Sequence, residues 1–294
     1  MRYIELYKDQ FNNISKTASS AYHTNEFKEY FNLYRFLNAA NNTDELIQAR
    51  IESHVENAKL SPEIMSEIDV CAMNIIMGVK NMIRYLSNAM TSIPEIDIEG
   101  VIMIYGDGSI DGHGIIVDEK AYVILDLNVI RQVAGLYNLK TFLLHEMVHP
   151  LHYKLSPAFY FSEYTSVEEI YYKRLIAEGI ATKLSGDCLN EPIEDVYWFG
   201  YLEKTKVDQW VDYCENHRLE ISEKLKNCIE TNQIDYQLYD QLFSVVDSGN
   251  MTTSRLAYYY GTKIVQNLLK KYTARQILEL EYSQMLQEAK IYFL

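Results

Sequence analysis

The chain has 294 residues, 48% of them hydrophobic, and can therefore bury a sizeable core as one large domain or as a catalytic domain with a helical extension. Its formal net charge of −14 argues against nucleic acid or an anionic membrane surface as a partner, because both would repel it, and favours a neutral or cationic substrate. The N-terminus lacks the apolar segment of a signal peptide, no apolar run is long enough to span a membrane, and the four cysteines form no C-x-x-C pair. We therefore expect a cytoplasmic protein with packed, reduced thiols.

Helical periodicity dominates the N-terminal region, which we place at residues 1–92. Three helices are predicted there, over Asn25–Leu37, 43–60 and 61–90. Thr43 and Ser61 are suited to cap the second and third of these, and Pro62 occupies a first helical position. The third helix carries apolar residues at helical spacing and should be buried.

The hydrophobic period then changes to that of strands. Short β-rich runs lie at 101–105, 114–117 and 121–127, with a turn at 118–120. We expect them to form a small antiparallel sheet. The connection 106–113 contains three glycines and two aspartates, like a calcium loop, but it lacks the downstream glutamate of an EF-hand. A flexible hairpin connection that overhangs the site is the favoured interpretation.

The segment 141–150 reads T-F-L-L-H-E-M-V-H-P, an H-E-x-x-H motif within a helical pattern. His145 and His149 are four residues apart, so on a helix they present two imidazoles to one metal ion. Glu146 is placed to take a proton from a water activated by that metal. Pro150 predicts a kink or an end of the helix directly after the second histidine.

A zinc hydrolase needs a third protein ligand, and the strongest candidate is Glu178. It lies in a helix predicted to begin at Ser166, where Ser166 and Glu169 form a capping-box pattern. An acid among small and apolar residues is costly to bury unless it faces a cation, and the small neighbours would let this helix approach the first ligand helix. His152 stays open as a competing third ligand.

The H-E-x-x-H motif, followed about thirty residues later by Glu178-Gly179-Ile180-Ala181, resembles the gluzincin type of zinc metallopeptidase, including predicted bacterial zinc-protease families with an H-E-x-x-H then E-G-x-A pattern. The resemblance implies zinc bound by His145, His149 and Glu178, and Glu146 as general base and later proton donor. It also implies that strand 121–127 pairs with extended substrate. A later Y-x-x-G match makes Tyr258 the candidate oxyanion stabiliser, with Tyr260 in reserve.

We therefore predict a predominantly helical α+β protein, with a zincin-like active-site helix beside a small antiparallel sheet. The predicted regions are an N-terminal helical region (1–92), the sheet with the zinc-binding helices (93–187), and a helical region that closes the cleft (188–294). The predicted function is a zinc-dependent peptidase acting on peptides or proteins. Two alternatives are open: a zinc-binding interaction protein that has lost efficient catalysis, and a helical protein with a coincidental motif. The sequence does not indicate the oligomeric state.

Overall fold

A computed structural model of the protein describes residues 1–12, 21–38, 42–89, 97–245 and 249–293. In these residues the chain forms α-helices and one small sheet, which confirms the predicted α+β class with a predominance of helix. By compactness the chain divides into a first unit, Met1–Arg84 with Glu95–Lys154, and a second unit, Tyr85–Pro94 with Leu155–Leu294. The predicted boundary between residues 92 and 93 lies outside the described residues.

The first unit contains the sheet and the helices around it. The elements that lie wholly or mainly in this unit are, in chain order, β1 (Arg2–Glu5), α1 (Leu6–Asn12), a 3-10 helix (Ala21–His23), α2 (Asn25–Leu37), α3 (Asp44–Lys59), α4 (Pro62–Ala89), β2 (Gly100–Ile104), β3 (Gly112–Val117), β4 (Lys120–Asp126), α5 (Leu127–Val133) and α6 (Leu139–Leu155). β2 is buried along its whole length, so the core of the unit lies against the centre of the sheet.

The strands lie side by side in the order β1-β2-β4-β3. β2 is parallel to both of its neighbours, β1 and β4, whereas β3 and β4 are antiparallel. The prediction of an antiparallel sheet is therefore wrong for all but the β3–β4 pair. A tight hairpin between two strands is visible in the local sequence, but parallel pairs need long crossover connections that leave no local signal.

The hairpin between β3 and β4 turns through Asp118 and Glu119, close to the predicted turn at 118–120. Both residues have positive φ, 48° and 63°. A two-residue turn with this conformation matches the twist of the flanking strands. The hairpin therefore fixes the register of the pair, in which His113 lies opposite Ile124.

The strand β1 is missing from the sequence-based prediction. It has only four residues, and its ends are the charged Arg2 and Glu5, so it shows little apolar alternation. Its partner comes much later in the chain, since Arg2 pairs with Gly100. The pairing is thus a tertiary contact that sequence periodicity alone does not reveal.

The predicted helix starts in the N-terminal part agree with the structure. The side chain of Thr43 accepts a hydrogen bond from the backbone N–H of Leu46, and that of Ser61 accepts one from Ile64. Such caps satisfy N–H groups that have no partner within the helix. The buried residues of α4 include Ile68, Ala72, Ile75, Val79 and Met82. The predicted end of this helix at Met90 lies outside the described residues.

In its described residues the second unit contains helices and their connections and no strand. Its elements are two 3-10 helices (Pro157–Phe159 and Phe161–Glu163), α7 (Val167–Leu189), α8 (Ile193–Val196), α9 (Lys204–Thr231), α10 (Tyr236–Phe243), a 3-10 helix (Met251–Thr253), α11 (Leu256–Leu268), α12 (Ala274–Glu279) and α13 (Tyr282–Phe293). Ser166 caps α7 as predicted, accepting from the N–H of Glu169. The Glu169 carboxylate, however, accepts from the N–H of Thr165, one residue earlier than the predicted capping box requires.

The four cysteines are free thiols; Cys71, Cys214 and Cys228 are buried and Cys188 is half-buried. Burial raises the pKa of Cys71 to about 11, so this thiol stays protonated at neutral pH. Among the described helices, none combines the length and the apolar character that crossing a membrane requires.

Candidate metal centre

Helix α6 carries the H-E-x-x-H residues and is buried from Thr141 to Tyr153. The helix does not end at Pro150, as the sequence had allowed, but continues to Leu155. A proline inside a helix removes one hydrogen bond and crowds the preceding turn. The ring of Pro150 lies against β3, where a Cβ on Gly114 would be 2.4 Å from the Pro150 Cδ. The glycine therefore leaves the space that the proline ring occupies.

The two motif histidines bring one nitrogen each to a common point. The Nε2 atoms of His145 and His149 are 3.2 Å apart, and the rings are inclined by 80°. Two nitrogens bound to one tetrahedral zinc ion at bonds of about 2.0–2.1 Å would be about 3.3 Å apart. Both side chains are buried, with 0% and 1% exposure. The pair thus has the spacing that a shared metal ion requires.

Glu146 lies between α6 and the sheet. It is 4% exposed, and a Cβ on Gly112 would lie 3.1 Å from its Cγ. Gly112 and Gly114 therefore allow β3 to approach the turn of α6 that carries Glu146 and His149. Because a buried carboxylate is costly unless it is compensated by polar or cationic groups, its placement here favours a role in the site over a role in the core.

A further histidine, His113 of β3, belongs to the same site. Its Nε2 is 3.1 Å from the hydroxyl of Tyr153, which is also 3.3 Å from the Nδ1 of His149. The rings of His113 and His149 have their centroids 4.7 Å apart. His113, Glu146 and His149 each offer a ligand atom, and these atoms lie within 4.8 Å of one another.

His113 and Tyr153 are not among the residues that the sequence predicts for the site. His113 fell at the end of the predicted loop 106–113, whereas in the structure it is the second residue of β3. A signal was present in the tripeptide Gly112-His113-Gly114, a histidine between two glycines at the start of a strand. Glycines inside a strand often mark the close approach of another backbone. That approach is made here by α6.

The connection before β3 is held by hydrogen bonds, in contrast to the flexible loop that was predicted. The buried Asp126 accepts from the N–H groups of Gly106 and Gly108 at 2.8 and 3.3 Å. Asp107 accepts a hydrogen bond from the Tyr34 hydroxyl at 2.8 Å. Burial raises the pKa of Asp126 to about 7, although the backbone N–H groups it binds oppose the shift. Asp126 at the end of β4 and Asp107 in the segment itself thus anchor the chain that leads into β3.

His152, the competing third ligand, is a core residue in the structure. It is 0% exposed, and burial, reinforced by His149, lowers its pKa to about 3. Its ring stacks against that of Tyr153 at 6.0 Å between centroids. His152 is not a member of the cluster formed by His113, Glu146 and His149. These contacts favour a neutral histidine that supports the helix.

Glu178, the predicted third ligand, lies on α7 in the second unit and is 5% exposed. Arg174, one turn earlier on α7, is 7% exposed, donates to the Tyr239 hydroxyl and stacks on Phe243 at 4.2 Å. Burial, above all, raises the pKa of Tyr164; the guanidinium of Arg174 opposes the shift and the charge of Glu178 adds to it. Glu178 therefore belongs to a buried polar cluster of this unit. Its assignment as a zinc ligand stays a prediction.

The glycine that follows Glu178 allows a close helix crossing. A Cβ on Gly179 would lie 2.1 Å from the carbonyl carbon of Gly261 on α11, and one on Gly261 would lie 2.1 Å from the oxygen of Leu175. Gly179 therefore makes room for α11, and the predicted approach of α7 to the first ligand helix stays a prediction. The glycines of the E-G-x-A and Y-x-x-G patterns meet each other at this crossing.

The two tyrosines proposed for the oxyanion role have different surroundings on α11. Tyr258 is half-buried, and the Arg255 guanidinium lies 3.8 Å from its ring centroid. Tyr260 is fully buried and its hydroxyl donates to the carbonyl oxygen of Cys214 at 2.9 Å. Tyr260 is therefore a core tyrosine, which leaves Tyr258 as the candidate. Its catalytic role stays a prediction.

Comparison of the chain with protein-family models, with curated proteins and with solved structures gave no match. The resemblance to gluzincins accordingly depends on the motif residues themselves.

Proposed function

We propose that this protein is a zinc-dependent peptidase in which His145, His149 and Glu178 bind zinc and Glu146 is the general base. The observation that carries the proposal is the 3.2 Å separation of the two Nε2 atoms on a helix where Glu146 directly follows the first histidine. Two imidazoles and one carboxylate form the ligand set of a class of zinc hydrolases, which keep a fourth position open. The buried donors of α6 fit this set.

When bound, zinc supplies the Lewis acidity that polarises a peptide carbonyl and lowers the pKa of water. The residues of the chain then position and move protons. A carboxylate oxygen of Glu146 accepts the proton of the attacking water and returns it to the nitrogen of the leaving amine. Tyr258 would donate its hydroxyl proton in a hydrogen bond to the carbonyl oxygen as negative charge develops on it.

The substrate proposed is a peptide or protein segment in extended conformation. The resemblance implied that strand 121–127 pairs with the substrate, but β4 is hydrogen-bonded on both sides, to β2 and β3, so that expectation is wrong. β3 is the edge strand beside α6, and we propose that the substrate extends along it. The net charge of −14 favours neutral or cationic peptides over nucleic acid or an anionic membrane surface. The free thiols support a reducing, cytoplasmic setting.

The test combines metal content with peptide hydrolysis. Protein purified without added metal is analysed by elemental mass spectrometry and assayed on a mixed peptide library, as wild type and as Glu146→Gln. We expect about one zinc per chain in both proteins, and a loss of hydrolysis of roughly 10²-fold or more in the variant, because only the base is removed. Glu163→Gln, which changes an exposed glutamate in the same way, is the matched control and should keep full activity.

The outcomes separate the proposal from its alternatives. Wild type that binds zinc and cleaves none of the peptides would instead support a zinc-binding interaction protein with no efficient catalysis. Wild type that stays without metal after zinc is supplied would show the motif to be coincidental and would refute the proposal.

A further inference from the structure

The first unit carries a set of three side chains that could hold a metal ion and that does not include Glu178. His113, Glu146 and His149 lie with their ligand atoms within 4.8 Å of one another. All three are buried, with exposures of 6%, 4% and 1%. The donors are again two imidazoles and one carboxylate, a set that binds zinc well.

The backbone of the first unit holds these three residues together. Glu146 and His149 are three residues apart, on one turn of α6, and His113 lies on β3 between the two glycines that face this turn. Tyr153 links the two histidines through hydrogen bonds to His113 Nε2 and His149 Nδ1. If all three side chains bind one ion with bonds of about 2.0–2.1 Å, their ligand atoms must approach one another by roughly 1 Å or more. Rotation of the Glu146 side chain can supply this movement.

We propose that these residues form an alternative zinc position in which Glu146 is a ligand. Both positions use His149, whose Nδ1 is held by Tyr153, so occupation of one position excludes the other. A carboxylate bound to the ion does not accept the proton of the attacking water, and zinc in the alternative position therefore leaves the enzyme without its base. This last statement rests on the proposed function, whereas the binding of zinc does not.

The two positions are distinguished by His145, which belongs only to the first. The experiment measures the affinity for zinc, the only probe, by competition with a chromophoric chelator. It compares four proteins: the wild type, His145→Ala, Glu146→Gln and the double variant. In the presence of His145, Glu146→Gln should change the Kd for zinc by less than about threefold. In the His145→Ala background, which should still bind about one zinc, Glu146→Gln should raise the Kd at least tenfold, in the range found for loss of a metal-site group.

A second substitution and a control complete the cycle. His113→Gln in the His145→Ala background should raise the Kd at least tenfold as well, while its amide can still hydrogen-bond with Tyr153. His152→Ala in the same background should have no such effect, because His152 is buried on the same helix outside the cluster. Circular dichroism verifies the fold; if His145→Ala does not fold, Glu178→Ala replaces it as the background.

Two results would overturn the alternative position: a folded His145→Ala protein that does not bind zinc, or one whose affinity is unaffected by either Glu146→Gln or His113→Gln. Because hydrolysis is not measured, a wild type that lacks peptidase activity would refute the proposed function and leave this result unchanged.

Discussion

The hydroxyl of Tyr153 joins two histidines that come from different elements. It lies 3.3 Å from Nδ1 of His149 on its own helix and 3.1 Å from Nε2 of His113 on β3. Metal-binding histidines usually have a partner at the second ring nitrogen, which fixes the tautomer and the direction of the ring. A tyrosine hydroxyl takes that place here. Tyr153 is thus a positioning residue for the proposed ligand His149.

We expect Tyr153→Phe to lower the affinity for zinc by about 10–100-fold, because the ring of His149 loses the group that orients it. The substitution keeps the aromatic ring, so the fold should persist. Chelator competition measures the effect. Tyr260→Phe is the control: it also removes a buried hydrogen bond, to Cys214, but outside the site, and should leave the zinc affinity unchanged. Equal affinities for Tyr153→Phe and wild type would show that the hydroxyl does not orient the ligand.

At the scale of elements, two glycines determine how closely α7 and α11 cross. Gly179 and Gly261 bring the two backbones so close that a Cβ on either would overlap the other helix. The atoms that such a Cβ would overlap are backbone atoms, which cannot change rotamer as a side chain can. Glu178 directly precedes Gly179, so the position of the Glu178 backbone depends on this crossing.

We expect Gly179→Ala to lower the free energy of unfolding by about 1–3 kcal/mol, because overpacking outweighs the gain in helix propensity of about 1 kcal/mol. Urea unfolding followed by circular dichroism measures it. Gly186→Ala, on the same helix, is the matched control, since its Cβ would first meet the Val196 side chain at 3.0 Å. It should change stability by less than about 1 kcal/mol. A Gly179→Ala protein as stable as this control would contradict the crossing.

For the molecule as a whole, the charge of −14 makes stability depend on pH, and Asp126 adds a specific contribution. Burial raises the pKa of Asp126 from 3.8 to about 7, against the hydrogen bonds from Gly106 and Asn128. Between these values the folded protein holds a proton that the unfolded chain releases. The contribution to stability is therefore present below pH 4 and is lost as the pH rises to about 7.

Asp126→Asn should remove the contribution of Asp126 to the pH dependence of stability. The stability of wild type minus that of the variant should decrease between pH 4 and 7, by at most about 1.4 kcal/mol per pH unit, and be constant above pH 7. Urea unfolding across this range measures the difference. Asp208→Asn, at an exposed position, changes the net charge equally and should give a flat difference. A flat difference for Asp126→Asn would mean that its carboxyl titrates normally in the folded protein.

Local patterns in the sequence determined the features that arise within one element. The four-residue spacing of His145 and His149 placed both rings on one side of a helix, and Thr43, Ser61 and Ser166 marked helix starts that the structure confirms. These features depend on residues within a turn or two of each other, so composition and period are sufficient to predict them.

Only the tertiary structure decided which distant segments meet. It added β1 to the sheet, made two of the three strand pairs parallel, and brought His113 to the turn of α6 that carries Glu146 and His149. It also joined Gly179 to Gly261. Such contacts join residues far apart in the chain, and their free energy comes from packing that no local period records. For the same reason the sequence predicts Tyr258 for the site through motif resemblance alone.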